Sequence, residues 1–254
     1  MSVKRVAVAG VVVVALGAVA ACGGGDTAGS AASASPSASA SAERLESATG
    51  GTILEKAHKE FAQAKSVKIT GSSVEGGQKV AFTASAAANG DCAGTFDFGA
   101  DGKAEILRTA GQTLVKEDAA LLAKLTGAAG AELGKGRWIR AKAGDDLSVV
   151  GAFCDLKGTP VFGDGDWYKL VNSDGAQTVN GQKTVAIFSG SQDGGSYRGY
   201  VAVEGPARPV RVESMRLEGA TDGVTMDFSD YDAPVTVTMP PADQIIDLST
   251  IKKS

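Results

Sequence analysis

From residue 66 onward the chain breaks into short runs that alternate apolar and polar residues, a period of two that only a half-buried β-strand satisfies. The runs "SVKITGSS", "QKVAFTASAAA", "AGTFDFG", "KAEILRT" and "QTLVKE" are separated by "EGGQ", "NGD" and "GADGK". Breaks that short, rich in Gly, Asn and Asp, join neighbouring strands as hairpins, so the five runs predict an antiparallel meander with one face turned inward. A second series, "DWYKLVN", "KTVAIFSG", "SYRGYVAVEG", "PVRVESMRLEG", "VTMDFSDYD" and "PVTVTMPP", predicts that strands resume after residue 165.

Three stretches read as helical instead. In "ILEKAHKEFAQAKS" the residues Ile53, Leu54, Ala57, Phe61 and Ala64 recur at helical spacing, and Thr52 with Glu55 has the form of a capping box. "EDAALLAKLTGAAGAELGKGRWIRA" and "GDDLSVVGAFCDLKGTP" lie between the two strand series and read as helices or helical turns. Helices grouped against one large antiparallel sheet define an α+β domain. Its expected span is 52–254, about 200 residues and the size of one domain.

The N-terminus follows different rules. Lys4 and Arg5 precede an uncharged apolar run from Val6 to Ala21, the layout of a secretory signal. A bilayer core of about 30 Å asks for roughly 20 apolar helical residues, so this run is short for a span. It ends in Val19-Ala20-Ala21-Cys22, which resembles the lipobox of bacterial lipoproteins. That resemblance implies cleavage after residue 21, diacylglycerol on the Cys22 thiol, and a chain exported to the outer face of the cell membrane and held there by its acyl chains. Residues 22–51 are almost entirely Gly, Ala, Ser, Thr and Pro before Leu45, and such a sequence cannot bury enough surface to offset its ordering entropy. The stretch is expected to be a disordered tether with an r.m.s. reach of about 30 Å.

Without Lys4 and Arg5, 23 of the 25 basic residues remain against 29 acidic ones, a formal charge of −6. An acidic balance excludes nucleic acid as the expected partner, because that role needs a basic footprint. With Cys22 assigned to the anchor, Cys92 and Cys154 are left, either as a disulfide or as two buried thiols; an exported domain favours the pair. No metal, cofactor or catalytic residue is expected. His58 is the one histidine in the chain and sits at the margin of the helical stripe, and no GxSxG elbow is present. "AAGAELGKGR" fails as a phosphate loop, because Ala129 stands where the first glycine is needed and Gly136 where Ser or Thr must be. Asp145-Asp146 and Asp164/Asp166 read as caps and turns, and Trp138 and Trp167-Tyr168 as core-sealing aromatics.

Several phrases together resemble the LppX/LprG-type lipoproteins of actinobacteria, which share the fold of the LolA/LolB lipoprotein carriers. They are "KSVKITGS" after the first helix, "LVKEDAALLAKL" followed by "GRWIRA", "VNGQKTVAIFSG", and "VTMDFSDYDAPVTVTMPPADQIIDLS". The resemblance implies a curved half-barrel sheet with helices on its concave face, enclosing an apolar cavity for lipid or lipoprotein acyl chains. The expected function is to bind or transfer such ligands without covalent chemistry. A non-carrier module that docks or senses an envelope protein is the alternative, and an envelope hydrolase a distant third. Candidate lining residues are Phe82, Phe96, Phe98, Leu107, Leu114, Leu122, Val150 and Phe153, with small residues such as Ala84, Ala86 and Ala120 leaving room between them. A Cys92–Cys154 bridge would tie the sheet to the central helices and restrict any opening.

Overall fold

The computed structural model describes residues 45–141, 152–156, 171–190, 195–215 and 223–247. Within them, α1 (Gly50–Gln63) leads into β1 (Ser66–Glu75), β2 (Gln78–Ala87), β3 (Cys92–Asp97), β4 (Lys103–Thr109) and β5 (Gln112–Glu117). These are the five strands expected from the alternating runs. The β1–β2 turn shows why the breaks work: Gly76 and Gly77 both have positive φ, 58° and 81°, the left-handed pair that a two-residue hairpin loop requires. Helix α2 (Ala119–Gly134) follows, broken at Gly127, where φ is 74°. Then come β6 (Trp138–Arg140), a 3₁₀ turn at Ala152–Cys154, and the strands β7 (Asn172–Val179), β8 (Gln182–Gly190), β9 (Ser196–Ala202), β10 (Pro209–Met215) and β11 (Gly223–Ser229). A last short strand, β12, spans Ile245–Asp247.

All twelve strands form one open sheet in the order β12-β6-β5-β4-β3-β2-β1-β11-β10-β9-β8-β7. Two meanders are thus fused where β11 pairs antiparallel with β1, with Ile69 opposite Phe228. Every ladder is antiparallel except β12–β6. The fold class is the expected one: α+β, a large sheet with helices against it, and, among the described residues, β7 and β12 at its edges.

Alternation then sorts the side chains. Val67 and Ile69 of β1, Phe82 and Ala86 of β2, Phe96 of β3, Ile106 of β4 and Val115 of β5 share one face and one core with α1. Helix α1 buries Ile53, Leu54, Ala57 and Phe61 there. At roughly 1.5–3 kcal/mol for each large side chain, its three large residues contribute about 6 kcal/mol of gross burial. The Phe61 ring stands edge-on to Phe228 at 5.8 Å and to Tyr231 at 6.5 Å. Tyr231 donates its hydroxyl proton to the Pro209 carbonyl at 2.8 Å, and Arg208 lies 4.8 Å from its ring centroid. Burial raises the Tyr231 pKa well above the usual phenol range.

Several boundaries differ from the expected ones. The N-cap of α1 is Thr49, whose Oγ1 accepts from the Thr52 N–H at 3.3 Å, so Thr52 lies inside the helix and the Thr52–Glu55 box does not form. Leu45, expected in the tether, is 4% exposed and belongs to the core. "GRWIRA", expected at the end of a helix, supplies β6, since Trp138 and Ile139 gain burial by pairing beside β5. "NSDGAQTV", which apart from Asn172 lies outside the runs expected as strands, is the edge strand β7. One side of an edge strand faces water, and its pairing with β8 absorbs an irregularity between Ser173 and Ala176. "PVTVTMPP" does not form a strand: Pro234, Pro240 and Pro241 lack the N–H that a ladder needs, and β12 follows the segment instead. Most of "DWYKLVN" and of "GDDLSVVGAFCDLKGTP" lies outside the described residues; the described part of the latter holds the 3₁₀ turn.

Candidate ligand-binding face

The α1-covered face carries an aromatic group centred on β2 and β3. Phe82 and Phe96 are direct cross-strand partners, with ring centroids 6.2 Å apart. Phe153, on the 3₁₀ turn, sits 4.6 Å from Phe82 and 5.4 Å from Phe96, and Phe98 lies 6.4 Å from Phe96. Cys154 is bonded to Cys92, the first residue of β3, with a Cα–Cα distance of 5.3 Å. The bridge therefore holds Phe153 against the two strand phenylalanines. Four of the eight candidate residues meet here: Phe82, Phe96, Phe98 and Phe153.

The remaining candidates do not join them. Leu107 and Leu114 face each other across β4 and β5, but their pleat puts them on the side opposite Ile106 and Val115, so they belong to the other face. Leu122 is buried on α2, where a Cβ added to Gly134 would meet its Cδ2 at 2.7 Å. Val150 lies outside the described residues, as do Cys22, Asp145, Asp146, Asp164, Asp166, Trp167 and Tyr168.

Sequence reasoning missed Glu117. It occupies the inward position of β5, two residues after Val115 and opposite Ala104, and is 5% exposed. Among the described residues its Oε1 has no hydrogen-bond partner. Burial, and then the neighbouring Asp118 charge, raise its pKa above the ordinary carboxylate value. The signal was available: in "QTLVKE" the strict alternation that buries Val115 also buries residue 117. Asp118, by contrast, is the N-cap of α2, accepting from the Leu121 N–H at 2.9 Å and, through its other oxygen, from the Lys103 N–H at 2.8 Å.

Two hollows flank the sheet. A gap of about 10 Å³, roughly one water molecule, lies beside β8 to β10 between Ile187, Ser189, Tyr197 and Val212. An open hollow of about 470 Å³ spans β1 to β4; Ala81, Phe82, Phe96 and Ala104 contribute to its lining along with Thr70, Thr83, Thr95, Asp97, Lys103 and Glu105. Its rim carries the Lys103–Asp97 ion pair at 2.9 Å. Lys103 holds the Asp97 carboxyl below its usual range. The phosphate-loop-like stretch lies largely on α2. His58 is half-buried on α1, and burial lowers its pKa. Trp138 is buried in β6, with the Lys116 ammonium 5.8 Å from its ring centroid. No helix among the described residues is long and apolar enough to cross a membrane.

No protein-family model and no curated protein matches the sequence. Solved structures do match in fold. LprF from Mycobacterium bovis is 15% identical, with the match covering 75% of this chain and 96% of LprF at a TM-score of 0.49. The lipoprotein LppX from Mycobacterium tuberculosis is 12% identical over 74% of this chain and 97% of its own, also at 0.49. A putative outer membrane lipoprotein-sorting protein domain from Vibrio parahaemolyticus is 13% identical, covering 77% of this chain and 95% of that domain, at 0.29. LppX is the protein whose type the sequence phrases resemble.

Proposed function

We propose that this chain is an exported lipoprotein, anchored through Cys22, that binds the acyl chains of a hydrophobic ligand along the α1-covered face of its sheet. The observation that carries the reading is the unfinished apolar layer on that face. Phe98, Phe153, Val80, Val171 and Met226 pack against the core yet stay only partly buried. An apolar edge on an open sheet is a place where an alkyl chain gains about 0.8 kcal/mol for each methylene it buries. Ten methylenes would gain about 8 kcal/mol before the cost of ordering the ligand. Binding needs no covalent step and no cofactor; the ligand enters, displaces water from the phenylalanine edge, and leaves when a partner or a bilayer takes its tail.

Native mass spectrometry of the chain purified from its membrane, combined with lipid extraction, tests this directly. Co-purifying lipid beyond the Cys22 acyl groups, in stoichiometric amount, is the expected result. A protein that stays empty after incubation with long-chain fatty acid and with phospholipid would remove the carrier reading.

One observation favours a second reading, a docking or sensing module without cargo. Phe153 already covers Phe82 and Phe96, so that part of the face is filled by the chain's own side chain. An empty chain that pulls down one envelope protein reproducibly is the result this alternative expects.

A further inference from the structure

Helix α2 breaks the rule by which a surface helix shows water its polar side. Its sequence, AALLAKLTGAAGAELG, has two charged residues, Lys124 and Glu132, yet only Leu121, Leu122, Gly130 and Gly134 are buried. Leu125 is 52% exposed and Leu133 51%, two of the four large hydrophobic residues that the described structure leaves open to solvent. Ala128 and Ala129 are exposed between them, as is Ala123 before them. The break at Gly127 separates the two leucines, and Lys124 ties the first half to the turn between β3 and β4 through an ion pair with Asp101 at 2.5 Å.

We propose that α2 docks on the lipid surface that holds the Cys22 acyl chains, with Leu125 and Leu133 dipping between headgroups. Three features select this occupant. Exposed Lys135 and Arg137 follow the helix directly, a basic spot on an acidic chain, and juxtamembrane cations gain about 1 kcal/mol each near anionic lipid. Only 22 residues of sequence separate Cys22 from Leu45, which bounds the distance between anchor and domain at about 80 Å of contour length. Such a tether keeps the domain near the bilayer at an effective concentration in the millimolar range, so a weak contact suffices. A second copy of the chain is a poorer occupant: a helix of 16 residues is about 24 Å long and about 10 Å wide. One face of it falls short of the roughly 600 Å² per partner that a stable dimer buries. The docking rests on the anchored reading above and would set the sheet beside the membrane from which its ligand comes.

The test is site-specific photocrosslinking in the full chain, purified with its lipid anchor and reconstituted into vesicles of phosphatidylcholine and phosphatidylglycerol. A benzophenone side chain replaces Leu125, Leu133 or, as control, the exposed Glu55 of α1. Phospholipid adducts at 125 and 133 are expected to exceed those at 55 by about tenfold. With the probe at Ala129, the double variant Leu125→Asp/Leu133→Asp is expected to lose most of its adducts; both positions are exposed, and an unchanged unfolding temperature checks the fold. Equal labelling at all three positions, or adducts between two copies of the chain, would overturn the proposal. The intact mass reads the acylation of Cys22 separately, so an unacylated chain removes the anchored reading and the docking with it, while an acylated chain without α2 adducts removes the docking alone.

Discussion

Whether the Phe82–Phe96 surface is core or binding site turns on Phe153, and replacing it with alanine separates the two. A fully buried Phe→Ala change costs about 3–5 kcal/mol. Phe153 is only partly buried, so about half of that, near 2 kcal/mol, is expected; its two ring contacts, at 4.6 and 5.4 Å, fall within that figure. For a domain of this size the loss lowers the unfolding temperature by about 6 °C. The same substitution uncovers Phe82 and Phe96. If an acyl chain and Phe153 compete for that surface, Phe153→Ala binds the chain more tightly, by up to about 30-fold for the same 2 kcal/mol. Urea unfolding gives the first number, and displacement of a fluorescent fatty acid gives the second. A stability loss below about 0.5 kcal/mol would show that the ring contacts do not hold in solution. Weaker ligand binding, in place of tighter, would show that Phe153 lines the site and does not plug it.

Removing the Cys92–Cys154 bridge by a double serine variant closes off a loop constraint of 62 residues and is expected to cost roughly 4 kcal/mol in the chain-entropy model, read by denaturant unfolding under non-reducing conditions. Glu117→Gln is expected to stabilise the chain at neutral pH. A carboxyl whose folded pKa is raised holds its proton more tightly when folded, so the wild type loses stability as pH climbs from the unfolded pKa near 4.5 through the folded value. The glutamine variant should flatten that slope; an unchanged pH profile would show that Glu117 has found a partner. Thr49→Ala removes the acceptor for the Thr52 N–H and is expected to cost about 1 kcal/mol, whereas Glu55→Ala, at the position of the box that does not form, should change stability by less than about 0.5 kcal/mol. Cys22→Ser is expected to abolish acylation, with membrane fractionation and intact mass as the readout; retained acyl mass would refute the assignment.

The strands were legible because their signal is local. β1 to β5 and β8 to β11 each carry their own alternation and their own turn residues, and a hairpin forms between neighbours without information from elsewhere. β6, β7 and β12 were not legible for the opposite reason. Three residues such as Trp138–Arg140 hold too few positions to show a period, and they become a strand because β5 offers them an edge. β7, an almost wholly polar run, has no inward alternation to read and takes its place by pairing with β8. The site divides in the same way. Phe82 and Phe96 follow from alternation, since both sit at inward positions, and parity counted from Ile106 and Val115 already puts Leu107 and Leu114 on the other face. Phe153 was named as an apolar residue of the helical stretch between the two strand series, but its contact with Phe82 across some 70 residues of chain depends on a disulfide, which no periodicity reports.

The fused topology gives that disulfide a second consequence. β1 cannot be an interior strand until β11 returns to it across more than 150 residues, a long-range closure that slows folding. The structure clips this junction from both sides. Just before β1, the Lys65 N–H donates to Asp232 Oδ1 at 2.8 Å; at its first residue, the Ser66 hydroxyl donates to the Ala233 carbonyl. Arg208 holds the other Asp232 oxygen, and together these donors keep the Asp232 carboxyl below its usual pKa. On the other side of β1, the Cys92–Cys154 bond fastens the central crossover to β3 before the second meander begins. With the crossover fixed, the entropy left to lose when β11 finds β1 is smaller. The bridge that sets Phe153 over the candidate binding face therefore also favours the strand pairing that makes that face continuous, and the two roles separate experimentally, since Phe153→Ala removes the first and leaves the second intact.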